Sequence, residues 1–187
     1  HTSTHNTGKM YEQNVKINSF EGYSRFSKQF TETSGVKMYL TSSYYDQGSL
    51  FGNTGYDANQ TGFTAMGFYE FEIFPRSYLK TGLSYKYQKI DEVIKFNDTT
   101  SKSYAGSYIN TEAIPGIFAE NSISFLEDKA SLMTGIRFDN HNKHGLVVTP
   151  RALFRYQPVK TIVFRASIGT GFRTINLFSE YQNLLAS

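Results

Sequence analysis

The amino-acid sequence predicts an all-β chain with the strands of a transmembrane, antiparallel, up-and-down β-barrel. Apolar and polar residues alternate with a period of two along most of the chain, which is typical of strands with one apolar and one polar face. Most alternating stretches span about 11–14 residues, whereas soluble strands cluster near 5–6 and a tilted bilayer-crossing strand needs roughly 9–11. Short and long connections also alternate between these stretches, as they do in outer-membrane barrels.

Composition excludes several other classes of protein. The 187 residues include no Cys, which excludes disulfides and thiolate metal sites. The net charge of +3 comes without a run of Lys or Arg, so nucleic acid is not an expected partner. Mean hydropathy is −0.42 and no run of 18 apolar residues occurs, which excludes a transmembrane helix. A barrel strand is compatible with low mean hydropathy because only one of its faces is apolar.

Eight strands are predicted from the alternation. Their ranges are 10–27, 36–46, 62–74, 77–91, 112–125, 129–139, 146–157 and 160–170. The first strand changes phase, because Val15 and Ile17 occupy odd positions whereas Phe20 and Phe26 occupy even ones. A β-bulge near 15–26 would account for this change.

The other seven strands rest on the same periodicity. The second aligns Val36, Met38 and Leu40, and the third has the sequence "GFTAMGFYEFEIF". The fourth, sixth, seventh and eighth strands alternate regularly. The fifth is weaker because Asn121 interrupts its apolar face.

The connections are predicted to be of two kinds. Tight turns are expected at 74–77, 126–129 and 157–160, with a somewhat longer one at 28–35. Long external loops rich in Gly, Asn, Ser and Thr are expected at 47–61 and 92–111, with a shorter one at 140–145. Because the two kinds alternate, all tight turns are expected at one end of the barrel.

The two strand faces differ in character. The apolar face is expected to meet lipid and carries Leu83, Leu132, Ile136, Phe154, Phe164 and Ile168. The polar face is expected to face a water-filled or plugged lumen and carries Glu70, Glu72, Lys80, Lys86, Glu120, Arg137, Arg151, Arg155 and Arg165. So many charges would be very costly in a small soluble core. Aromatic residues near strand ends suit interfacial girdles: Tyr69, Phe71, Phe74, Tyr78, Tyr85, Tyr87 and Tyr156.

Residues 116–180 resemble the barrel of TonB-dependent outer-membrane receptors. The resemblance rests on "GIFAENSISF" at 116–125, "TGIRFDNHNKHG" at 134–145, "TPRALFRYQP" at 149–158 and "FRASIGTGFRTINLFSE" at 164–180. In that family a Gly-Phe-Arg sequence followed by a Glu closes a strand into an external loop. The matching residues here are Gly171, Phe172, Arg173 and Glu180.

The resemblance implies that residues 1–187 are about eight strands of a 22-stranded barrel, without the plug domain or a signal peptide. The implied location is the outer membrane of a Gram-negative bacterium. The implied partners are membrane lipid, the plug and remaining barrel, the TonB complex and a transported ligand. The ligand would be a scarce metal chelate, such as a siderophore or haem, or cobalamin.

Three alternatives remain open at this stage: a glycan- or peptide-importing receptor, a complete eight-stranded barrel, and a barrel enzyme. No catalytic constellation or phosphate loop occurs, so no enzyme is expected, and no cofactor either.

Candidate ligand-binding residues lie in the predicted loops. His141 and His144 are candidate metal ligands, although solvated loop histidines are commoner. Arg173 and Glu180 are candidates for holding a ligand or for pairing within the loop. The loop residues Tyr56, Tyr104 and Tyr108 are candidates for stacking on an aromatic ligand. The charged residues of the polar face are expected to contact the plug.

Overall fold

The protein forms one antiparallel β-sheet in a computed structural model that describes residues 13–52, 54–96 and 105–174. Eight strands lie in chain order across this described part, and each pairs with the next. Their bounds are β1 Gln13–Thr31, β2 Ser34–Phe51, β3 Thr54–Phe74, β4 Ser77–Phe96, β5 Gly106–Phe125, β6 Ala130–His141, β7 Gly145–Val159 and β8 Ile162–Gly169. The predicted all-β, up-and-down arrangement of eight strands is thereby confirmed.

Within the described ranges, no helix is long and apolar enough to cross a membrane.

Several strands are longer than predicted, because two stretches assigned to loops continue the ladder. The stretch 47–61 is not a loop: β2 and β3 stay paired up to Phe51 and Thr54, which face each other. The stretch 92–111 is likewise mostly strand, since β4 reaches Phe96 and β5 starts at Gly106. Their Gly, Asn, Ser and Thr content suggested loops, but backbone pairing that continues the adjacent ladder overrides that weak local preference.

The predicted segregation of tight and long connections therefore holds at one end only. The turn end of the sheet carries the connections 32–33, 75–76, 126–129 and 160–161. Arg76 and residues 126–128 have positive φ there, which tight hairpin turns require. The opposite, loop end carries the connections after β2, β4, β6 and β8. The connection between β2 and β3 is as short as the turns, since β2 ends at Phe51 and β3 begins at Thr54. Connection length therefore does not by itself distinguish the two ends of the sheet.

The bulge predicted within 15–26 is wrong. β1 and β2 pair without interruption from Gln13 to Gln29, and the register shifts only between Gln29 and Thr31. The apparent change of phase has another cause, because β1 carries apolar residues on both faces. Phe20 and Phe26 belong to one face, and Val15 and Ile17 to the other.

The register extends two faces across all eight strands. One continuous face, the polar face, holds Glu70, Glu72, Lys80, Lys86, Glu120, Arg137, Arg151, Arg155 and Arg165. The other, the apolar face, holds Leu83, Leu132, Ile136, Phe154, Phe164 and Ile168. Leu83 and Ile168 are two-thirds or more exposed. A soluble protein would bury such side chains, whereas in a membrane they would meet lipid.

Aromatic rings gather on the apolar face near the turn end. The Tyr69 ring lies 5.3 Å from that of Phe71 and 6.4 Å from that of Phe30. Such a cluster suits a girdle at a membrane interface, although the girdle itself remains a prediction.

The packed core lies at the loop end, on the polar face. Phe51, Tyr56, Ala58 and Ile94 are buried together, and Phe96 and Tyr108 pack against them. These residues come from the ends of β2, β3, β4 and β5, all of them beyond or near the limits of the predicted strands. The core therefore packs the loop-end extensions of these four strands against one another.

Candidate functional site

Charged side chains in the middle of the polar face are paired with one another. Glu120 of β5 is 5% exposed, and its carboxylate accepts hydrogen bonds from Lys80, at 3.1 Å, and from Arg151. Nearer the turn end, Lys37 donates to Glu70 at 3.1 Å. This part of the face has cations and carboxylates matched within the sheet itself.

An aromatic row crosses the same region. The rings of Tyr23, Tyr39, Phe68 and Phe118 follow one another at centroid distances of 6.0–6.4 Å. The ammonium groups of Lys80 and Lys37 lie 5.3 Å and 5.9 Å from the Phe68 centroid, within the range of cation–π attraction. The Phe68 ring of this aromatic row therefore helps to hold the side chains of Lys37 and Lys80 against the polar face of the sheet.

A cavity of about 400 Å³ opens on the polar face towards the loop end. It is called the loop-end cavity here, and it is lined by Lys86, Gln88, Glu112, Ile114, Arg137, Asp139, Phe172, Arg173 and Thr174. β4, β5 and β6 form its wall, and the segment after β8 supplies the remaining side. A larger groove of about 600 Å³ lies on the apolar face, where its almost wholly apolar lining suits lipid chains rather than a polar ligand.

Gly116 makes room for a polar cluster that lines the cavity. A Cβ on Gly116 would lie 2.1 Å from Asp139 Oδ1 and 2.9 Å from Ser84 Oγ. In the space that it leaves, Arg137 donates to Asp139 Oδ2 at 2.6 Å and to Ser84 at 2.8 Å. Asp139 is buried, and in the part of the chain that the structure describes its other oxygen, Oδ1, has no hydrogen-bond partner.

His141, the last residue of β6, lies beside the segment that follows β8. Its ring is 1% exposed and meets the Phe172 ring edge-on at 5.9 Å. His141 Nε2 lies 4.0 Å from Glu112 Oε1, and neither atom has a hydrogen-bond partner within the described ranges. The backbone N–H of Lys143 donates to His141 Nδ1 at 3.0 Å. Because Nδ1 accepts that bond, the proton of the neutral ring belongs on Nε2, towards Glu112.

The two histidines differ from each other. His141 is buried at the end of β6, so the expectation of a solvated loop residue is wrong for it, whereas His144 is exposed. Their ring centroids are 4.7 Å apart. Among residues 13–52, 54–96 and 105–174, no three His, Asp or Glu side chains are grouped to hold a metal ion. A metal site at His141 and His144 thus gains no support.

Tyr56 and Tyr108 lie in strands rather than in the predicted loops. Tyr56 is fully buried in β3, and its hydroxyl donates to Glu92 Oε1 at 2.7 Å. Burial, and then the hydrogen bond to the Glu92 carboxylate, raises the pKa of the Tyr56 phenol. Tyr108 is half-buried in β5 against the same core. Stacking on a ligand was therefore the wrong role for Tyr56, whose ring is enclosed. Tyr104 lies outside the described residues.

Arg173 lines the loop-end cavity, while its predicted companion Glu180 lies outside the described residues. Lys86 and Arg137, predicted only as part of the charged face, belong to the same cavity. Sequence analysis missed Glu112, Asp139 and Glu92. A signal for all three existed, because each has the parity of the polar face in its strand.

Other charged side chains of the polar face form hydrogen bonds within a turn or within their own strand. Glu72 Oε1 accepts the backbone N–H of Arg76 at 2.8 Å and so caps the β3–β4 turn. Arg155 donates to Gln157, and the register sets Arg155 directly opposite Arg165. Contact of this face with a plug remains a prediction.

Comparison with solved structures finds resemblance to larger proteins, and the first of these shows the same fold. The ferric preacinetobactin receptor BauA of Acinetobacter baumannii superposes with a TM-score of 0.60 at 12% identity, over 83% of this chain and 30% of that one. The siderophore receptor PirA of Pseudomonas aeruginosa gives 0.48 at 13% identity, over 87% of this chain and 35% of that one. The RagAB peptide transporter gives 0.40 at 11%, over 77% of this chain and 20% of that one.

This chain therefore spans about a third or less of the length of these proteins. No functionally curated protein matches it in sequence. The model of the family described as "TonB dependent receptor-like, beta-barrel" matches residues 2–184. This is a family of transport receptors, found in the outer membrane of Gram-negative bacteria, and not of enzymes. On the strength of a match that covers nearly every residue, the chain belongs to the TonB-dependent receptor-like β-barrel family.

Proposed function

We propose that this chain is part of the barrel wall of an outer-membrane receptor that imports a metal chelate, such as a siderophore or haem complex, or cobalamin. The loop-end cavity is the observation that carries the proposal. It lies on the polar face, at the end of the sheet where the resemblance places the external side, and it has charged residues of both signs in its lining. Those features suit capture of a polar ligand before transport.

The polar face suits a plugged lumen. A ligand too large for an open pore needs a wide barrel, and a wide barrel has to be closed by a plug to keep the membrane sealed. Arg155 and Arg165, opposite each other on β7 and β8, repel in the absence of a counter-charge. An acidic surface of a plug domain would supply that counter-charge. Movement of such a plug would draw energy from the inner membrane through the TonB complex.

The choice of metal chelates rests on resemblance. The sequence around Gly169–Glu180 resembles the chelate-importing branch of the family. BauA, which shares the fold, is itself a ferric preacinetobactin receptor. The fold alone does not distinguish chelates from glycans or peptides, so the choice has to be tested by uptake.

Uptake by the full-length receptor tests the proposal. A strain lacking the receptor would be complemented with the wild type, with Gly116→Val or with Gly67→Val, and uptake of radiolabelled iron chelates and cobalamin would be measured. A side chain at Gly116 would displace Asp139 and Ser84, whereas a Cβ at Gly67, on the apolar face, meets nothing within 4 Å. We expect uptake of at least one of these ligands to fall several-fold for Gly116→Val and to stay unchanged for Gly67→Val.

A different result would change the conclusion. If uptake of every iron chelate and of cobalamin is the same with and without the receptor, while growth on a glycan or a peptide is lost, the chelate assignment is wrong. The protein would then belong to the glycan- or peptide-importing receptors.

A further inference from the structure

Glu112 is a buried carboxylate that forms no ion pair with a Lys or Arg side chain among the described residues. The residue is 3% exposed and lines the loop-end cavity, and its Oε1 has no hydrogen-bond partner. Desolvating a carboxylate without a partner is very costly, so proteins almost always pair such a group. A buried, unpaired carboxylate at the wall of a cavity therefore calls for a donor that enters the cavity.

The nearest candidate within the sheet, His141, makes no hydrogen bond to Glu112. Its Nδ1 already accepts the backbone N–H of Lys143 at 3.0 Å. Its Nε2 also remains 4.0 Å from Glu112 Oε1, beyond hydrogen-bond distance.

Three cationic residues line the loop-end cavity: Lys86, Arg137 and Arg173. Arg137 binds Asp139 and Ser84, and Arg173 has an interaction of its own. Lys86 lines the cavity, yet within the described part of the chain no carboxylate lies within 4.0 Å of its ammonium group. Gln88, directly opposite Glu112 across the β4–β5 pair, brings no charge.

Asp139 adds a second acceptor to the same cavity. Its Oδ2 is taken by Arg137, whereas its Oδ1 has no partner, although the residue is 4% exposed. Two buried carboxylate residues that line one space of about 400 Å³ thus each retain one oxygen without a hydrogen-bond partner among the described residues. Phe172 bounds that space on the side of the segment that follows β8.

We propose that the loop-end cavity binds a cationic hydrogen-bond donor of the imported ligand, an ammonium or guanidinium group, through the carboxylate of Glu112. The unpartnered oxygen of Asp139 accepts a further hydrogen bond from the same ligand. This inference rests on the proposed function, because it takes the cavity as the place where the imported ligand is held. It adds the chemical class of the group that is recognised.

Binding of agmatine, which carries a guanidinium and an ammonium group, tests the inference on the purified full-length receptor in detergent. The neutral analogue 1,4-butanediol is the comparison ligand, and isothermal titration gives the dissociation constants. The test variant is Glu112→Gln, which keeps the shape but removes the charge. The matched control is Glu92→Gln, a buried carboxylate at the same end of the sheet that already has a partner in Tyr56.

We expect agmatine to bind and the diol not to. Glu112→Gln should weaken agmatine binding about tenfold or more, because a charge-assisted hydrogen bond is lost. Glu92→Gln should leave it unchanged. Lys86→Met should strengthen it several-fold, since a cation that repels the probe is removed.

The inference is overturned if agmatine binds no better than the diol, or if Glu112→Gln and Glu92→Gln bind it equally. It is also overturned if Glu112→Gln lowers the melting temperature by several degrees while the wild type binds no agmatine. In that case the cation is a Lys or Arg side chain of the receptor itself. None of these measurements involves transport, so their failure is distinct from failure of the uptake test.

Discussion

Two glutamates on one strand and one face experience opposite surroundings. Glu120, in the middle of β5, accepts hydrogen bonds from Lys80 and Arg151 and belongs to a matched network. Glu112, nearer the loop end of the same strand, is as deeply buried but has no bonded partner at Oε1. The first carboxylate is paired within the sheet, whereas the second has no hydrogen-bond partner at Oε1 among the described residues. The contrast between them is what the proposed ligand site depends on.

The largest expected effect tests the face assignment on which this comparison depends. Ile136→Arg or Phe164→Arg would place a charge on the apolar face and should destabilise the inserted receptor by about 2–4 kcal/mol near the bilayer midplane. Ser131→Arg or Ser167→Arg, on the polar face of the same strands, should be much milder. Urea unfolding of the full-length receptor in lipid vesicles measures both pairs. Equal losses would mean that the two faces are wrongly assigned.

The next effect separates the two glutamates directly. Glu120→Gln should reduce the free energy of unfolding by about 2–3 kcal/mol, because charge-assisted hydrogen bonds to Lys80 and Arg151 are weakened. This is less than for a fully buried pair, since Arg151 is largely exposed and solvent screens it. Glu112→Gln should not destabilise the ligand-free receptor, because no bonded partner at Oε1 is lost.

Both glutamate variants can be measured in the same unfolding experiment. A loss for Glu112→Gln as large as that for Glu120→Gln would show that Glu112 is also paired within the receptor, and the contrast between the two would disappear.

The smallest effect concerns a third buried carboxylate at the loop end, Glu92. Tyr56→Phe removes its donor and should cost about 1–2 kcal/mol at neutral pH. The raised pKa of Tyr56 also predicts a pH dependence. Tyr56 contributes fully to the free energy of unfolding below the pKa of an unfolded tyrosine, about 10. Above that pH the contribution falls, because the unfolded chain loses the phenol proton while the folded protein keeps it.

Unfolding midpoints measured at increasing pH check this expectation. The wild type should lose its advantage over Tyr56→Phe as the pH rises above about 10. A constant difference across that range would show that the phenol proton is not held by the fold.

Periodicity was a sufficient guide to the central part of the fold. The regular alternation from Phe63 to Ile73 and from Leu132 to Phe138 predicted strands with the same facing that the register shows. It worked because successive side chains of a strand point to opposite faces, so a buried or lipid-exposed face imposes a period of two on the sequence itself. The nine charged residues of the polar face were placed together for the same reason.

The loop end was predicted less well. Residues 47–61 have the composition of a loop, yet they continue β2 and β3 because each backbone has a paired neighbour to bond with. Tyr56 was consequently placed in a loop as a ligand contact, whereas it is buried in a core assembled from four strand ends. No local pattern encodes such a core, since its members are brought together by register across strands.

The composition of the loop-end cavity depends even more strongly on how the strands are paired. The sequence shows that Glu112, Asp139 and Arg173 are charged and that Gly116 lacks a side chain, and these properties hold in any fold. Pairing of β5 with β6 is what sets Gly116 opposite Asp139, and the path of the chain after β8 is what brings Arg173 to the same cavity. Whether a buried carboxylate has a partner depends on distances of a few ångströms between residues far apart in the chain, because hydrogen bonds weaken steeply beyond that range.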